Sequence, residues 1–248
     1  MQFTPLSIDK HTRRPYLRLS APHQRIIIAA PSLQDAPQIC ELLNDPRVYR
    51  WLLSPPFPYL LEHAVSWLTE VKAEADAVWG ELEQANAESP DGPLKVVGGC
   101  PVRSILEENE DGTYTYLGDC GIFRNRYEDV MDMEERARRV QENNAKPVGD
   151  PDIVWSIGDY LKPSHHGKGI MTAVVGRLMR EWGIPRMNFH CVRAATMNGN
   201  TGSVRVFEKN GFVLRRECVD VVTKGEPSSH RFLDWILLSH GRSPHRLA

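Results

Sequence analysis

Apolar positions along the chain switch between two spacings, and each switch marks an element. The run RIIIAA (25–30) is short, β-branched and closed by Pro31, which predicts a buried strand. Asp35 and Gln38 form a capping pair ahead of apolar Ile39, Leu42 and Leu43, so a helix is expected to start there and stop at Asn44-Asp45-Pro46. After the proline-broken SPPFPY, residues Leu60, Leu61, Ala64, Trp67, Leu68 and Val71 recur at helical spacing and predict a longer helix. The runs KVVGGCPVRSIL (95–106) and TYTYLGDCGIF (113–123) flank a polar turn with Asp111-Gly112, the pattern of a hairpin.

DIVWSIGDYL (152–161) predicts a further strand. It leads through Pro163 into a helix that keeps Ile170, Val174, Leu178 and Trp182 on one face. MNFHCVRA (187–194) reads as a strand, SVRVFEKNGF holds a short helix ending at Asn210-Gly211, and FVLRRECVDVV and HRFLDWILL form a closing strand pair. The order β-α-α-β-β-β-α-β-α-β-β combines a parallel crossover with antiparallel hairpins, which predicts an α/β (α+β) fold with a mixed central sheet flanked by helices. Two polar segments, 73–93 and 124–151, carry helix formers with Pro or Gly at their ends. They are expected to be insertions on one domain spanning 1–248, with its core over about 24–240.

Composition narrows the class. At 248 residues the chain is one large domain or two small ones, and 41% apolar with 25% charged residues excludes wholesale disorder. Thirty Lys+Arg against 32 Asp+Glu leave a net charge of −2, without the basic surplus that a sequence-independent nucleic-acid grip requires. Five cysteines, none in a Cys-x-x-Cys pair, speak against a disulfide framework and against a metal site. No run approaches a membrane-spanning length and the N-terminus has no apolar h-region, so a cytoplasmic protein is expected, with neither membrane nor nucleic acid as partner.

The most informative segment is SHHGKGIMTA, Ser164 to Ala173, where a strand hands over to a helix. Glycine at 167 and 169 lets the backbone approach an anion, and the first helical N–H groups supply positive potential, so this turn suits a pyrophosphate. A Rossmann turn requires glycine where Thr172 stands, and a P-loop requires Lys after the last glycine, whereas Lys168 precedes Gly169. Neither template fits. Alone, two glycines opening a helix make an ordinary tight turn.

The context carries more. IVWSIGDYL, then SHHGKG and MTAVVGRLM, then N-x-x-S-x-x-V-F-E-K-N-G-F from Asn200 to Phe212 together resemble the GNAT N-acetyltransferase superfamily, in its ribosomal-protein N-terminal acetyltransferase-like branch. RIIIAAPSLQDAPQICELLNDPRVYRWLLSPPFP is similar to the opening strand and helices of that branch. The resemblance covers roughly residues 24–240, the two polar segments being unmatched. It implies a mixed sheet of about seven strands with acetyl-CoA bound between two splayed parallel strands, here 152–161 and 187–194. It assigns His166, Gly167, Lys168, Gly169, Ile170 and Met171 to the pyrophosphate, with His165 and His166 substituting in part for a basic residue there. The pantetheine arm is placed against the backbone near Asp159, Tyr160 and Leu161, and Asn200 and Phe207 beside the cofactor.

The implied reaction is acetyl transfer to a primary amine, of a small molecule or a peptide N-terminus, by direct attack in a ternary complex. A base or water chain takes the amine proton, donors stabilise the oxyanion and an acid can protonate the leaving thiolate. Many relatives carry tyrosine where this chain has Phe207, which has no proton to give. Ser203, from N-x-x-S, takes that role, its structural alternative being a helix N-cap. Relatives often hold glutamate where this chain has Ser156. Asp159, further along the strand, is the candidate base if a bulge turns it to the cleft; Asp234 and His190 stand behind it. The oligomeric state is expected to be monomer or homodimer. Two other functions stay open: a non-catalytic acyl-CoA-binding or interaction module on the same fold, and transfer of a longer acyl group.

Overall fold

The computed structural model describes residues 1–10, 12–223 and 226–236. Nine strands form one sheet: β1 (Ser7–Ile8), β2 (Pro15–Arg18), β3 (Ile26–Ala29), β4 (Ser104–Glu108), β5 (Tyr114–Arg124), β6 (Val154–Leu161), β7 (Cys191–Met197), β8 (Val213–Thr223) and β9 (Glu226–Ile236), in the order β1-β2-β3-β4-β5-β6-β7-β9-β8. Every neighbouring pair is antiparallel except β6 and β7, which run parallel. That one parallel pair needs a crossover, which α5 (Ile170–Leu178) supplies. The remaining helices are α1 (Ala36–Leu43), α2 (Pro46–Tyr49), α3 (Leu61–Glu88), α4 (Met133–Ala145), α6 (Ile184–Met187) and α7 (Thr201–Glu208).

Helices cover both faces, so the inner strands are apolar on both sides. Ile26 and Ile28 of β3 join one core, with Trp155, Ile157 and Val174, while Ile27 and Ala29 join the other, with Ile39, Leu42 and Leu68. Helix α3 serves both cores. Its Ala64, Leu68 and Val71 lie in the second core and its Val78 and Leu82 in the first. A 28-residue helix is about 42 Å long, enough to cross the sheet from one face to the other.

Several elements differ from the sequence-based expectation. The sheet has nine strands rather than about seven, because a short β1–β2 hairpin precedes the first expected strand. Segment 95–103 is irregular and only Ser104–Glu108 pairs as a strand, since Gly98-Gly99 weakens extended structure and Pro101 has no N–H for a ladder. Residues 73–88 continue α3 with Ala75, Val78 and Leu82 buried; they are part of the main helix instead of an inserted one. Strand β7 starts at Cys191, four residues after the expected start, because a helical turn occupies 184–187 and Asn188 is left-handed with φ 54°. Asp35 and Gln38 do not form a capping pair: Ser32 caps the first turn, Asp35 lies 3.5 Å from Arg14, and Gln38 Oε1 accepts from Tyr116 N. Leu237 and Leu238 of the last expected strand lie outside the described residues, as does the rest of the C-terminus.

Candidate active site

Strands β6 and β7 pair at only three positions: Val154 with Cys191, Trp155 with Val192 and Ser156 with Arg193. Beyond Ser156 they part and leave a fork. The opposite side of β6 stays paired to β5 without interruption from Trp155 to Leu161, so the bulge expected to turn Asp159 to the cleft is absent, and by alternation its side chain stays on the face of Ile157 and Leu161. Asn125 N donates to Val154 O, which fixes the alternation of this ladder. Residues 156, 158 and 160 bond β5, and the main-chain groups of Ile157 and Asp159 turn into the fork.

The mouth of the fork is the glycine turn. Gly167 has φ 72° and Gly169 φ 79°, conformations that side-chain-bearing residues rarely adopt. Gly169 is the N-cap of α5 and makes no side-chain cap. The first α-helical bond runs from Ala173 N to Gly169 O, so the N–H groups of Ile170, Met171 and Thr172 have no partner within the helix. They point out at the positive end of the dipole, the arrangement that receives phosphate oxygens. Lys168 is exposed beside them. Both histidines of the turn are engaged elsewhere: His166 Nε2 donates to Leu161 O at 2.7 Å and His165 Nε2 bonds Glu107 Oε2 at 3.2 Å. The His166 N–H, expected to face the pyrophosphate, donates instead to Pro163 O at 3.2 Å and closes the preceding turn.

Helix α7 stands on the far side of the fork. Asn200 is its N-cap, with Oδ1 accepting from Ser203 N at 3.1 Å. Ser203 is therefore the third residue of the helix and not its cap, and its half-buried hydroxyl has no protein partner among the described residues. Phe207 is buried in the core against Phe212, with ring centroids 5.1 Å apart. Asn210 Nδ2 donates to Thr172 O and Val206 O, locking the end of α7 onto α5. The sequence pattern around Asn210-Gly211-Phe212 thus has a structural job: it docks one wall of the fork on the other.

At the base of the fork the sheet carries buried charge. Arg193 lies 3.5 Å from Asp234 and 4.0 Å from Asp129, and Arg215 reaches both aspartates at 2.9 and 2.6 Å. Burial pushes the Asp129 carboxyl up, but hydrogen bonding and charge from Arg215, with Arg193, bring it below its ordinary value. Burial dominates at Asp234 and raises it. Nε and Nη1 of Arg193 make no hydrogen bond among the described residues. Beside them, Ser156 Oγ accepts from Asn125 Nδ2 at 2.7 Å, leaving its own proton free to donate.

Asp159 sits where the fork is open. Burial, with the negative charge of Asp119 second, raises its carboxyl to about 7, close to the value that suits a base at neutral pH. Asp119 itself holds Arg103 in a two-bond pair at 2.8 and 2.9 Å, and the Arg103 guanidinium lies 5.0 Å from the Trp67 ring centroid. Tyr160 turns to that face of the sheet and bonds the Tyr116 hydroxyl at 2.8 Å. Asp234 belongs to the buried network, and His190 precedes β7, bonded to Asn188 Oδ1 at 3.2 Å. Sequence reading missed Arg193, Arg215, Asp129, Arg103 and Asp119. The one available signal was Arg193, a charge interrupting the apolar run of a strand. Among the described residues no three or more His, Cys, Asp or Glu side chains cluster as metal ligands, and no helix is long and apolar enough to cross a membrane.

Residues 25–213 match the protein-family model of the acetyltransferase (GNAT) domain. The span takes in the fork, the glycine turn and α7, and the chain belongs to the GNAT acetyltransferase family. A stretch of 56 residues is 45% identical to the probable N-acetyltransferase YjcK of Bacillus subtilis, covering 23% of this chain and 30% of that protein, so the match spans less than a third of its length. Solved structures share the fold. The ribosomal-protein-S5-alanine acetyltransferase from Vibrio fischeri superposes with a TM-score of 0.55 at 16% identity, covering 89% of this chain and 96% of that one. The microcin C7 self-immunity acetyltransferase MccE, solved with acetyl-CoA and AMP, gives 0.54 at 15% identity over 86% and 93%.

Proposed function

We propose that this protein transfers an acetyl group from acetyl-CoA to a primary amine by direct attack in a ternary complex. The observation that carries the reading is the fork: two parallel strands part after Ser156 and Arg193, and an N–H-lined glycine turn closes its mouth. The residues present suit acetyl-CoA on their own chemistry. Unpaired N–H groups over Gly167–Met171, including those of Lys168, Gly169 and Ile170, would hold the pyrophosphate, and Lys168 would add charge. His166 would hold the turn in place through Leu161, and the main chain of Ile157 and Asp159, next to Tyr160 and Leu161, would pair with the amides of the pantetheine arm. Asn200 and Ser203 line the α7 wall, while Phe207 supports that wall from the core.

Acetyl-CoA supplies an activated thioester, and the protein's part is positioning and proton movement. Asp159, whose side chain no bulge turns into the fork, takes the amine proton through water, and Ser203 positions or protonates the sulfur. Mobile protons and a fixed geometry are enough for this chemistry. The whole chain is read as one domain working in the cytoplasm, as a monomer or homodimer.

The test is calorimetric titration with acetyl-CoA and CoA, followed by thiol release with a panel of amines. Saturable binding with amine-dependent thiol release supports the reading; no binding overturns it. Binding without release for any amine leaves only an acyl-CoA-binding module.

A further inference from the structure

The insertion side of the sheet contains a half-open cavity of about 810 Å³, away from the fork. It lies where β4 stops short. The β4–β5 register ends at Ser104 with Asp119, so β5 from Gly121 to Arg124 has no strand of the described residues on that side. Two hydrogen bonds fix which groups face outward there: Cys120 N donates to Arg103 O across the β4 side, and Asn125 N donates to Val154 O on the β6 side. By alternation, the N–H and C=O of Ile122 and Arg124 point into the cavity. No strand or loop among the described residues pairs with them.

The walls leave that edge open. Helix α3 presents Val71, Glu74, Val78 and Glu81 from one face, Gly98 and Gly99 contribute no side chains, and α4 closes the opposite side with Met133, Arg136 and Val140. Phe123 lines the cavity with 38% of its surface exposed. Glutamates on one wall and arginines on the other accept side chains of either sign. Outward main-chain groups two residues apart recur about every 6.6 Å, the repeat of an extended polypeptide.

We propose that this cavity docks an extended polypeptide segment, which adds to β5 as an antiparallel or parallel strand through the main chain of Ile122 and Arg124. The inference rests on the acetyltransferase reading only in naming that segment as part of the acceptor. Docking by main chain makes affinity depend on length and leaves sequence preference to the alternate side chains.

The probes are Ala-Thr amide and Ala-Thr-Val-Thr-Val-Thr amide, titrated calorimetrically and then used as acceptors. The hexapeptide is expected to bind at least tenfold more tightly than the dipeptide. Methylating its alternate backbone nitrogens in one register should erase the gain, and methylating the other set should not. Ile122→Pro removes the edge N–H, with φ fixed by the ring, and should collapse the length ratio to about one; if that variant does not fold, the methylated peptides still read the interaction on the native protein. Equal affinity for the two lengths, or equal effects of the two methylation patterns, would overturn the proposal. Failure of the acetyltransferase reading looks different: the hexapeptide binds and no thiol is released.

Discussion

Asp159 is proposed as the base from its place in the sheet. Its main chain faces the open fork, and burial together with the charge of Asp119 raises it to about 7. As a base it is active when deprotonated, so the rate should rise with pH through about 7, and Asp159→Asn should lower turnover by about 10²-fold and remove that limb. Stability carries the opposite sign. A carboxyl raised above its unfolded value of about 3.9 contributes stability below that pH, and the contribution is lost as pH rises to 7. The Asn variant should lack this component of the pH dependence in thermal melts. An unchanged rate profile would remove Asp159 from the mechanism. Ser203 and Asn200 separate just as cleanly, because the cap of α7 is Asn200. Ser203→Ala should lower turnover by about 10²-fold with little change in melting temperature, whereas Asn200→Ala should cost about 1 kcal/mol of stability. If Ser203→Ala turns over normally, proton delivery to the sulfur must come from water.

At the scale of elements, the fork depends on a strand that pairs on one side only beyond Ser156 and a turn that two glycines hold open. Gly169 has φ 79° and its ideal Cβ meets nothing closer than His23 at 3.9 Å, so a substitution is opposed by backbone strain and by bulk facing the cleft, not by the core. Gly169→Val should weaken acetyl-CoA binding at least tenfold, about 1.4 kcal/mol, in calorimetry on a folded variant; unchanged affinity would dissociate the turn from the pyrophosphate. This strand–turn–helix unit was legible in the sequence because its signals are local: a β-rich run, paired glycines, then helical spacing. The start of β7 was not, since MNF reads as strand while the chain makes a helical turn through Met187 and reverses at Asn188. Segment 95–103 misled for a similar reason: its apolar residues pack in the core without pairing. Val97 and Val102 are fully buried there, held by bonds such as Val97 N to Arg186 O.

Across the whole molecule, the two cores and the long α3 decide what remains open. Helix α3 passes from one face to the other along the edge of β5 that β4 leaves unpaired, and α4 stands opposite it. The paired carboxylates and arginines at the base of the fork come from four separate segments, at 129, 193, 215 and 234, so no spacing along the chain announced them. The family pattern points to the glycine-turn side, where the residues are contiguous, and is silent on the insertion side, which only three-dimensional closure creates. The cavity between α3 and α4 measures about 810 Å³, and the central claim is that the fork, not this cavity, holds acetyl-CoA. A crystal structure of the protein with acetyl-CoA tests this most directly. Density is expected between β6 and β7, with the pyrophosphate on the N–H groups of residues 167–171 and the acetyl group near Ser156. Acetyl-CoA seated instead in the cavity between α3 and α4, with the fork empty, would contradict it.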